Sequence, residues 1–184
     1  MFIQTEDTPN PDTLKFMPGD TVLKTGSVDF SNAESSVSSP LATRLFEIEG
    51  VSRVFLSSDF ISVTKESALE WNTLKPSILT GIMKHYSSGL PALNTEADIT
   101  EDNSAEDTET IKQIKDLLET RVRPAVAMDG GDISFCSFEA GVVTLQMKGA
   151  CAGCPSSTAT LKMGIENMLR HYIPEVTEVK AAEL

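Results

Sequence analysis

Two cysteines three positions apart are the residues of this sequence best suited to chemistry, and they lie in the segment Cys151-Ala-Gly-Cys154-Pro155. A C-x-x-C segment can turn both sulfurs toward one metal centre, and small residues between them let the backbone curl closely around it. Pro155 suits the first turn of a helix. Cys154 is therefore expected at a helix N-terminus, where unpaired N–H groups and the helix dipole favour a thiolate. The segment predicts a site for a soft metal.

One such pair provides half of the four protein ligands that an iron–sulfur cluster or a structural zinc ion requires. Two-fold association of the chain would complete the set, with Cys151 and Cys154 coming from each copy. The spacing alone also permits a zinc ion that joins two subunits, or thiol–disulfide exchange. Exchange is less favoured because the strands predicted before the motif form a hairpin rather than part of a βαβ unit. The one Trp of the chain, Trp71, is also far from the motif.

The third cysteine and the two histidines invite a functional interpretation, but structural roles are expected for all three. Cys136 falls in a predicted strand, where an isolated cysteine is usually a small, buried or half-buried hydrophobe. His85 and His171 fall near the ends of predicted helices, where a positive charge is favourable. Cys136 is therefore not placed among the metal ligands.

Two carboxylates and one lysine precede the cysteine pair. Asp129 and Asp132 flank two glycines, a pattern that predicts a turn rather than a carboxylate site. Lys148 lies three residues before Cys151, where a cation would ease the charge of the thiolates. We nevertheless expect Lys148 to be a solvated surface side chain.

Around the cysteine pair the sequence predicts a small α+β domain with the element order α-β-β-α-β. Apolar residues recur at helical spacing over 110–126, and two β-branched runs flank a Gly-containing turn. The predicted elements are a helix at 110–126, strands at 133–138 and 142–147, a helix opened by Pro155 and ended by Pro174, and a last short strand at 176–179.

The first half of the chain predicts a second α+β domain, which has no cysteine and is therefore expected to recognise partner proteins. The start of its first helix is signalled by a Ser-Pro pair, and its hairpin is signalled by β-branched runs. The predicted elements are a strand at 13–17, a helix from Ser39 and Pro40 to Gly50, a hairpin of strands 51–56 and 60–64, and a helix at about 66–86 with Pro76 as a kink or break.

Acidic residues separate the two halves. The net charge is −12, and residues 95–109 contain seven acidic side chains and no Lys or Arg. The stretch 94–107 has one large apolar residue, Ile99, so it cannot bury enough surface to offset the cost of ordering it. We therefore predict an N-terminal domain at 1–93, an acidic flexible linker at 94–107 and a C-terminal domain at 108–184.

Composition also restricts the partners and the compartment. The acidic excess argues against nucleic acid as a partner, and no run of 18 apolar residues could span a membrane. Three cysteines do not form a secreted disulfide framework, which favours a reducing compartment. The first residues have neither a basic stretch nor an apolar core, so they predict neither a secretory signal nor a transit peptide. We expect a cytoplasmic protein of a bacterium, or a mitochondrial matrix protein whose presequence is missing.

Several motifs resemble one family. Asp129-Gly-Gly-Asp132 and Gly149-Ala-Cys151-Ala-Gly-Cys154-Pro-Ser-Ser157 are similar to the NifU-like C-terminal domain of the Nfu family, and Trp71-Asn-Thr-Leu-Lys-Pro76 is similar to the Nfu N-terminal domain. The resemblance implies a non-enzymatic iron–sulfur cluster carrier, usually with a 4Fe–4S cluster bridging two subunits. It implies Cys151 and Cys154 as the ligands, and upstream cluster donors and apo-protein clients as the partners. The three-cysteine and ferredoxin-like segments of full-length NifU are lacking, which favours transfer over primary assembly.

Overall fold

The computed structural model describes residues 2–94, 108–153 and 155–182. The chain falls into two compact units, one ending and the other beginning near residue 101, and both contain helices and strands. The predicted class of two small α+β domains is therefore confirmed. The predicted acidic linker at 94–107 lies, apart from Asn94, outside the described residues, and the domain bounds stay predictions.

The N-terminal unit is an antiparallel sheet covered by two helices. Its strands are β1 (Gln4–Asp7), β2 (Thr13–Met17), β3 (Val28–Phe30), β4 (Val51–Leu56) and β5 (Ile61–Lys65). Its helices are α1 (Pro40–Phe46) and α2 (Trp71–Ser88), and a short 3-10 turn covers Glu34–Ser38. The strand order is β1-β2-β5-β4-β3. Side chains such as Phe16, Leu45 and Ile78 are fully buried between the sheet and the helices.

The elements predicted for this unit are present, with changed ends. The Ser39 hydroxyl accepts a hydrogen bond from the Ala42 N–H at 3.0 Å, which confirms the predicted helix start. The first helix ends four residues before Gly50, whose φ of +96° turns the chain into β4. The second helix begins at Trp71 rather than near 66, and it continues through Pro76. Of the predicted kink or break at Pro76, the break is therefore wrong, since the helix tolerates the loss of one hydrogen bond.

The C-terminal unit has the predicted order α-β-β-α-β. Its elements are α3 (Glu109–Leu117), a π-helical segment (Leu118–Val122), α4 (Arg123–Met128), β6 (Gly131–Glu139), β7 (Val142–Gly149), α5 (Pro155–Tyr172) and β8 (Glu178–Ala181). The sheet order is β6-β7-β8, with β6 antiparallel and β8 parallel to β7. The helices pack on the sheet around buried side chains such as Ile114, Leu145 and Leu169.

Two details of this unit differ from prediction. The single helix expected at 110–126 is three consecutive helical segments. The wide π-helical turn ends one residue before the Arg123-Pro124 pair, and Pro124 has no N–H to offer the preceding turn. The last strand is Glu178–Ala181, because the Val176 N–H bonds back to the Ile173 carbonyl in a turn and pairing with β7 starts at Glu178. None of the described helices is both long enough and apolar enough to cross a bilayer.

Candidate metal-binding loop

The cysteine motif begins in the loop that joins β7 to α5. Gly149 and Gly153 have φ values of +63° and +83°, in the left-handed region that favours glycine. The Ala152 N–H donates to the Gly149 carbonyl at 3.0 Å, and the Thr158 hydroxyl donates to the Cys151 carbonyl at 2.8 Å. The loop is thus tied to the first turn of α5, whose start at Pro155 was predicted correctly.

Of the two cysteines in the motif, the structure describes Cys151 but not Cys154. Cys151 is 6% exposed and belongs to the hydrophobic core of the C-terminal unit. Cys154 lies outside the described residues, so its place beside Cys151 and at the helix N-terminus stays a prediction. Among the described residues, no three His, Cys, Asp or Glu side chains gather as a metal site.

The turn at the start of β6, formed by Gly130 and Gly131, lies against this loop and is called its floor below. The Ala150 N–H donates to the Gly130 carbonyl at 3.1 Å. A Cβ atom added to Gly131 would lie 2.6 Å from the Cys151 Sγ and 2.7 Å from the Lys148 carbonyl oxygen. Position 131 therefore accepts only glycine without rearrangement. Local turn chemistry explained the two glycines in sequence, but it did not reveal that one of them supports the cysteine.

The surroundings of Cys151 disfavour its thiolate. Burial raises the pKa of the Cys151 thiol to about 12, and the negative charges of Asp129 and Asp132 act in the same direction. At neutral pH the sulfur carries its proton in this state, and a metal must displace that proton to bind. Lys148 is 6% exposed, so the expectation of a solvated surface lysine is wrong. Its Cα partner across the sheet is Asp132, which is also buried.

An ion pair that the sequence analysis did not single out anchors the floor of the loop. The Arg123 guanidinium donates from Nε to Asp132 Oδ1 at 2.8 Å and from Nη2 to Asp132 Oδ2 at 2.9 Å. Its Nη1 donates to Glu119 at 2.6 Å. The Asp132 side chain is 8% exposed and also accepts the Ile133 N–H. Asp132 is therefore more than a turn residue. In the sequence, the one sign of this ion pair was an Arg directly before Pro124, and that dipeptide does not predict which carboxylate the Arg binds.

Three other predicted roles can be compared with the structure. Cys136 is exposed, so the prediction of a buried side chain is wrong; the register of β6 against β7 shifts between Phe135 and Ser137, and Cys136 is the extra residue of this bulge. His85 is 1% exposed, as suits a structural role, but burial and then the positive charge of Arg44 lower its pKa, which disfavours the positive charge expected at the helix end. His171 lies exposed in the last turn of α5.

Comparisons with known proteins cover both units. Residues 3–89 match the family model described as scaffold protein Nfu/NifU N terminal, and residues 114–180 match the NifU-like domain. The chain is 54% identical over 185 residues to NifU-like protein 4, mitochondrial, of Arabidopsis thaliana, covering 98% of this chain and 65% of that protein. It is 53% identical over 181 residues to the human NFU1 iron-sulfur cluster scaffold homolog, mitochondrial, covering 98% of this chain and 71% of that protein.

The chain spans about two thirds of the length of these curated relatives. Among solved structures, it is similar to the solution NMR structure of a NifU-like protein from Saccharomyces cerevisiae. The two are 26% identical with a TM-score of 0.47, and the similarity covers 52% of this chain and 87% of that one.

Proposed function

We propose, from the premise that this chain belongs to the Nfu family, that it carries an iron–sulfur cluster on Cys151 and Cys154 and transfers it to apo-proteins. The observation that carries the proposal is the position of Cys151 in a glycine-flanked loop that leads into α5. The human relative, named as an iron–sulfur cluster scaffold homolog, supports the same activity. The cluster is cargo, and the protein acts as a carrier rather than an enzyme.

The proposed carrier is a homodimer when loaded. Thiolates are the ligands that iron–sulfur clusters take, and four are needed. One chain contributes Cys151 and Cys154, so a second copy supplies the other two across a two-fold axis. Four thiolates at such an axis suit a 4Fe–4S cluster, which is the type proposed here. Because the site is divided between two chains, it can open to release its cargo.

Transfer of the cargo is a ligand exchange at iron. When a client thiol replaces Cys151 on iron, one iron–sulfur bond breaks and another forms, and the proton of the client thiol is left over. Cys151, with a pKa of about 12, takes up that proton readily as it leaves the iron.

The partners and compartment are proposed from the same family membership. Upstream cluster donors and apo-protein clients are the expected partners, and neither nucleic acid nor a membrane is expected to bind. The relatives named above carry "mitochondrial" in their names, so of the two compartments considered we propose the mitochondrial matrix over the bacterial cytoplasm.

Anaerobic reconstitution with iron and sulfide tests the proposal. The full chain should acquire visible absorbance and bind about two irons per chain, as a 4Fe–4S cluster shared by two chains requires. Cys151→Ala and Cys154→Ala should each abolish loading, while Cys136→Ala, on the exposed bulge, should load normally. Equal loss in all three variants would show that the ligands are misassigned. A colourless dimer that retains zinc would support a zinc-joined assembly instead.

A further inference from the structure

We infer that Arg123 and Asp132 form a clamp that positions Cys151 for its cargo and sets how firmly the loop holds it. This inference rests on the proposed function, because it concerns the same loop. The clamp residues are positioning residues: they act on the turn beneath Cys151, and the contacts described for them do not include its sulfur.

The clamp joins the start of α4 to the start of β6. Both nitrogens of one edge of the Arg123 guanidinium bond both oxygens of Asp132, at 2.8 and 2.9 Å, which fixes the orientation as well as the distance. The Asp132 carboxylate is 8% exposed, so little water competes for these bonds. A third bond, to Glu119, holds the guanidinium from the other side.

The position of Asp132 is transmitted to Cys151 through two glycines. Gly131 precedes Asp132 directly, pairs with Gly149 across the sheet and faces the Cys151 sulfur with no room for a Cβ atom. Gly130 accepts the hydrogen bond from Ala150, the residue before the cysteine. A displacement of Asp132 should therefore move the two glycines that contact the cysteine loop.

Charge and geometry predict the same direction of change. Without the guanidinium, Asp132 would be a buried carboxylate that has lost its bidentate partner, next to a site that must accept thiolates. The turn would loosen and the negative charge near Cys151 would rise, and both effects weaken the hold on an anionic cluster. Groups that orient metal ligands in this way typically change affinity by roughly 10–100-fold.

The other compact unit contains a matched control. Arg53 donates from Nε and Nη2 to Asp29 at 2.8 to 3.0 Å, and the two side chains are 14% and 11% exposed. This pair joins β4 to β3 in the N-terminal sheet and has the same fork geometry. Arg53→Lys therefore removes an equivalent fork without touching the floor of the cysteine loop.

The experiment compares full-length, anaerobically loaded wild type, Arg123→Lys, Arg123→Ala and Arg53→Lys. The rate of cluster loss to a chelator and the visible circular dichroism of the cluster are measured well below the unfolding temperature. Arg123→Lys keeps the charge but loses the fork, and it should lose its cluster roughly 10-fold faster than wild type. Arg123→Ala should lose it faster still, and both should change the dichroism. Arg53→Lys should match wild type in both measurements.

Three results would be decisive against the inference or its premise. If Arg123→Lys loads fully and keeps the wild-type rate and dichroism, the clamp does not position Cys151. If Arg53→Lys accelerates loss as much as Arg123→Lys, the effect is general destabilisation and the inference fails. If wild type itself takes up no cluster, the proposed function fails, which is a distinct outcome. Should Arg123→Ala not fold, Asp132→Asn replaces it. This variant breaks the fork but also removes a negative charge near Cys151, so faster loss would support positioning by geometry, and unchanged or slower loss would contradict it.

Discussion

Both units bury charged side chains, but they place them next to different neighbours. In the N-terminal unit, Lys65 is 7% exposed and donates to Asp12 at 2.6 Å, and its ammonium lies 5.8 Å from the centre of the Trp71 ring. In the C-terminal unit, the buried Asp132 is bound by Arg123 and lies one residue from the glycine that supports Cys151.

The difference shows how one kind of interaction can serve two purposes. Asp12 also accepts a hydrogen bond from the Ser67 hydroxyl at 2.6 Å. The contacts of Lys65 and Ser67 with Asp12 therefore join the loop before β2 to the end of β5 and the segment after it. The Arg123–Asp132 ion pair fixes the turn beneath the cysteine loop, where Cys151 is proposed to give up its bond to iron during transfer. The free energy of unfolding should therefore depend mainly on the contacts of Asp12 with Lys65 and Ser67. Cargo binding should depend mainly on the Arg123–Asp132 ion pair.

The largest effect is expected from Gly131→Ala, which attacks the floor of the cysteine loop directly. Its new Cβ atom would lie 2.6 Å from the Cys151 sulfur, so the loop must shift. We expect cluster loading to be lost and the unfolding free energy of the chain to fall by about 1–3 kcal/mol. Iron per chain after anaerobic reconstitution and urea unfolding followed by circular dichroism measure the two effects.

Gly164→Ala provides the control for that change. Gly164 lies inside α5 with nothing within 4 Å of an added Cβ atom. This variant should load normally and be more stable by about 0.5–1 kcal/mol, because alanine is favoured over glycine within a helix. Normal loading of Gly131→Ala would mean that the contact between residue 131 and Cys151 has no functional role.

A smaller effect, confined to stability, is expected from Lys65→Met in the N-terminal unit. The change removes a charged hydrogen bond to Asp12, which should cost about 1.5–3 kcal/mol. Trp71 is the one Trp of the chain, so its fluorescence during urea unfolding reports on this unit. Lys24→Met, at an exposed lysine, should stay within about 0.5 kcal/mol of wild type. Loading should be normal in both variants, and impaired loading in Lys65→Met would contradict the separation of roles.

The smallest effect is a pH dependence that His85 gives to the N-terminal unit. Burial, and then the positive charge of Arg44, lower the pKa of His85 below its ordinary value of 6.5. As the pH falls through about 6.5, His85 therefore takes up a proton more readily in the unfolded chain than in the folded chain. The free energy of unfolding decreases below that pH. Unfolding followed by Trp71 fluorescence between pH 7.5 and 5.5 should show this loss.

His85→Gln should flatten that pH dependence, and His171→Gln should leave it unchanged because His171 is exposed. An identical slope in wild type and His85→Gln would show that His85 protonates freely in the folded state.

Local patterns predicted much of the fold. The Ser39-Pro40 pair, the Gly-containing turn between β6 and β7, and the apolar spacing of α5 each depend on residues close in sequence, and each element is present. The predicted ends were less accurate where a distant partner decides them, as at β8, whose start is set by pairing with β7.

The sequence singled out Cys151 and Cys154 as candidates but did not predict the surroundings of Cys151. Cys151 was identified from spacing alone, whereas the Arg123–Asp132 fork and the burial of Lys148 arise from contacts between elements that no short motif encodes. Cys136 directly follows Phe135, which packs against the core, so the alternation of side chains along β6 turns its sulfur to the exposed side.

The mass and iron content of the loaded protein test the central claim most directly. Native mass spectrometry of an anaerobically reconstituted sample should find two chains with a single cluster of four irons, and Mössbauer spectra should identify the 4Fe–4S type. A cluster held by one chain alone, without a second copy or a small thiol to complete its ligands, would contradict the account.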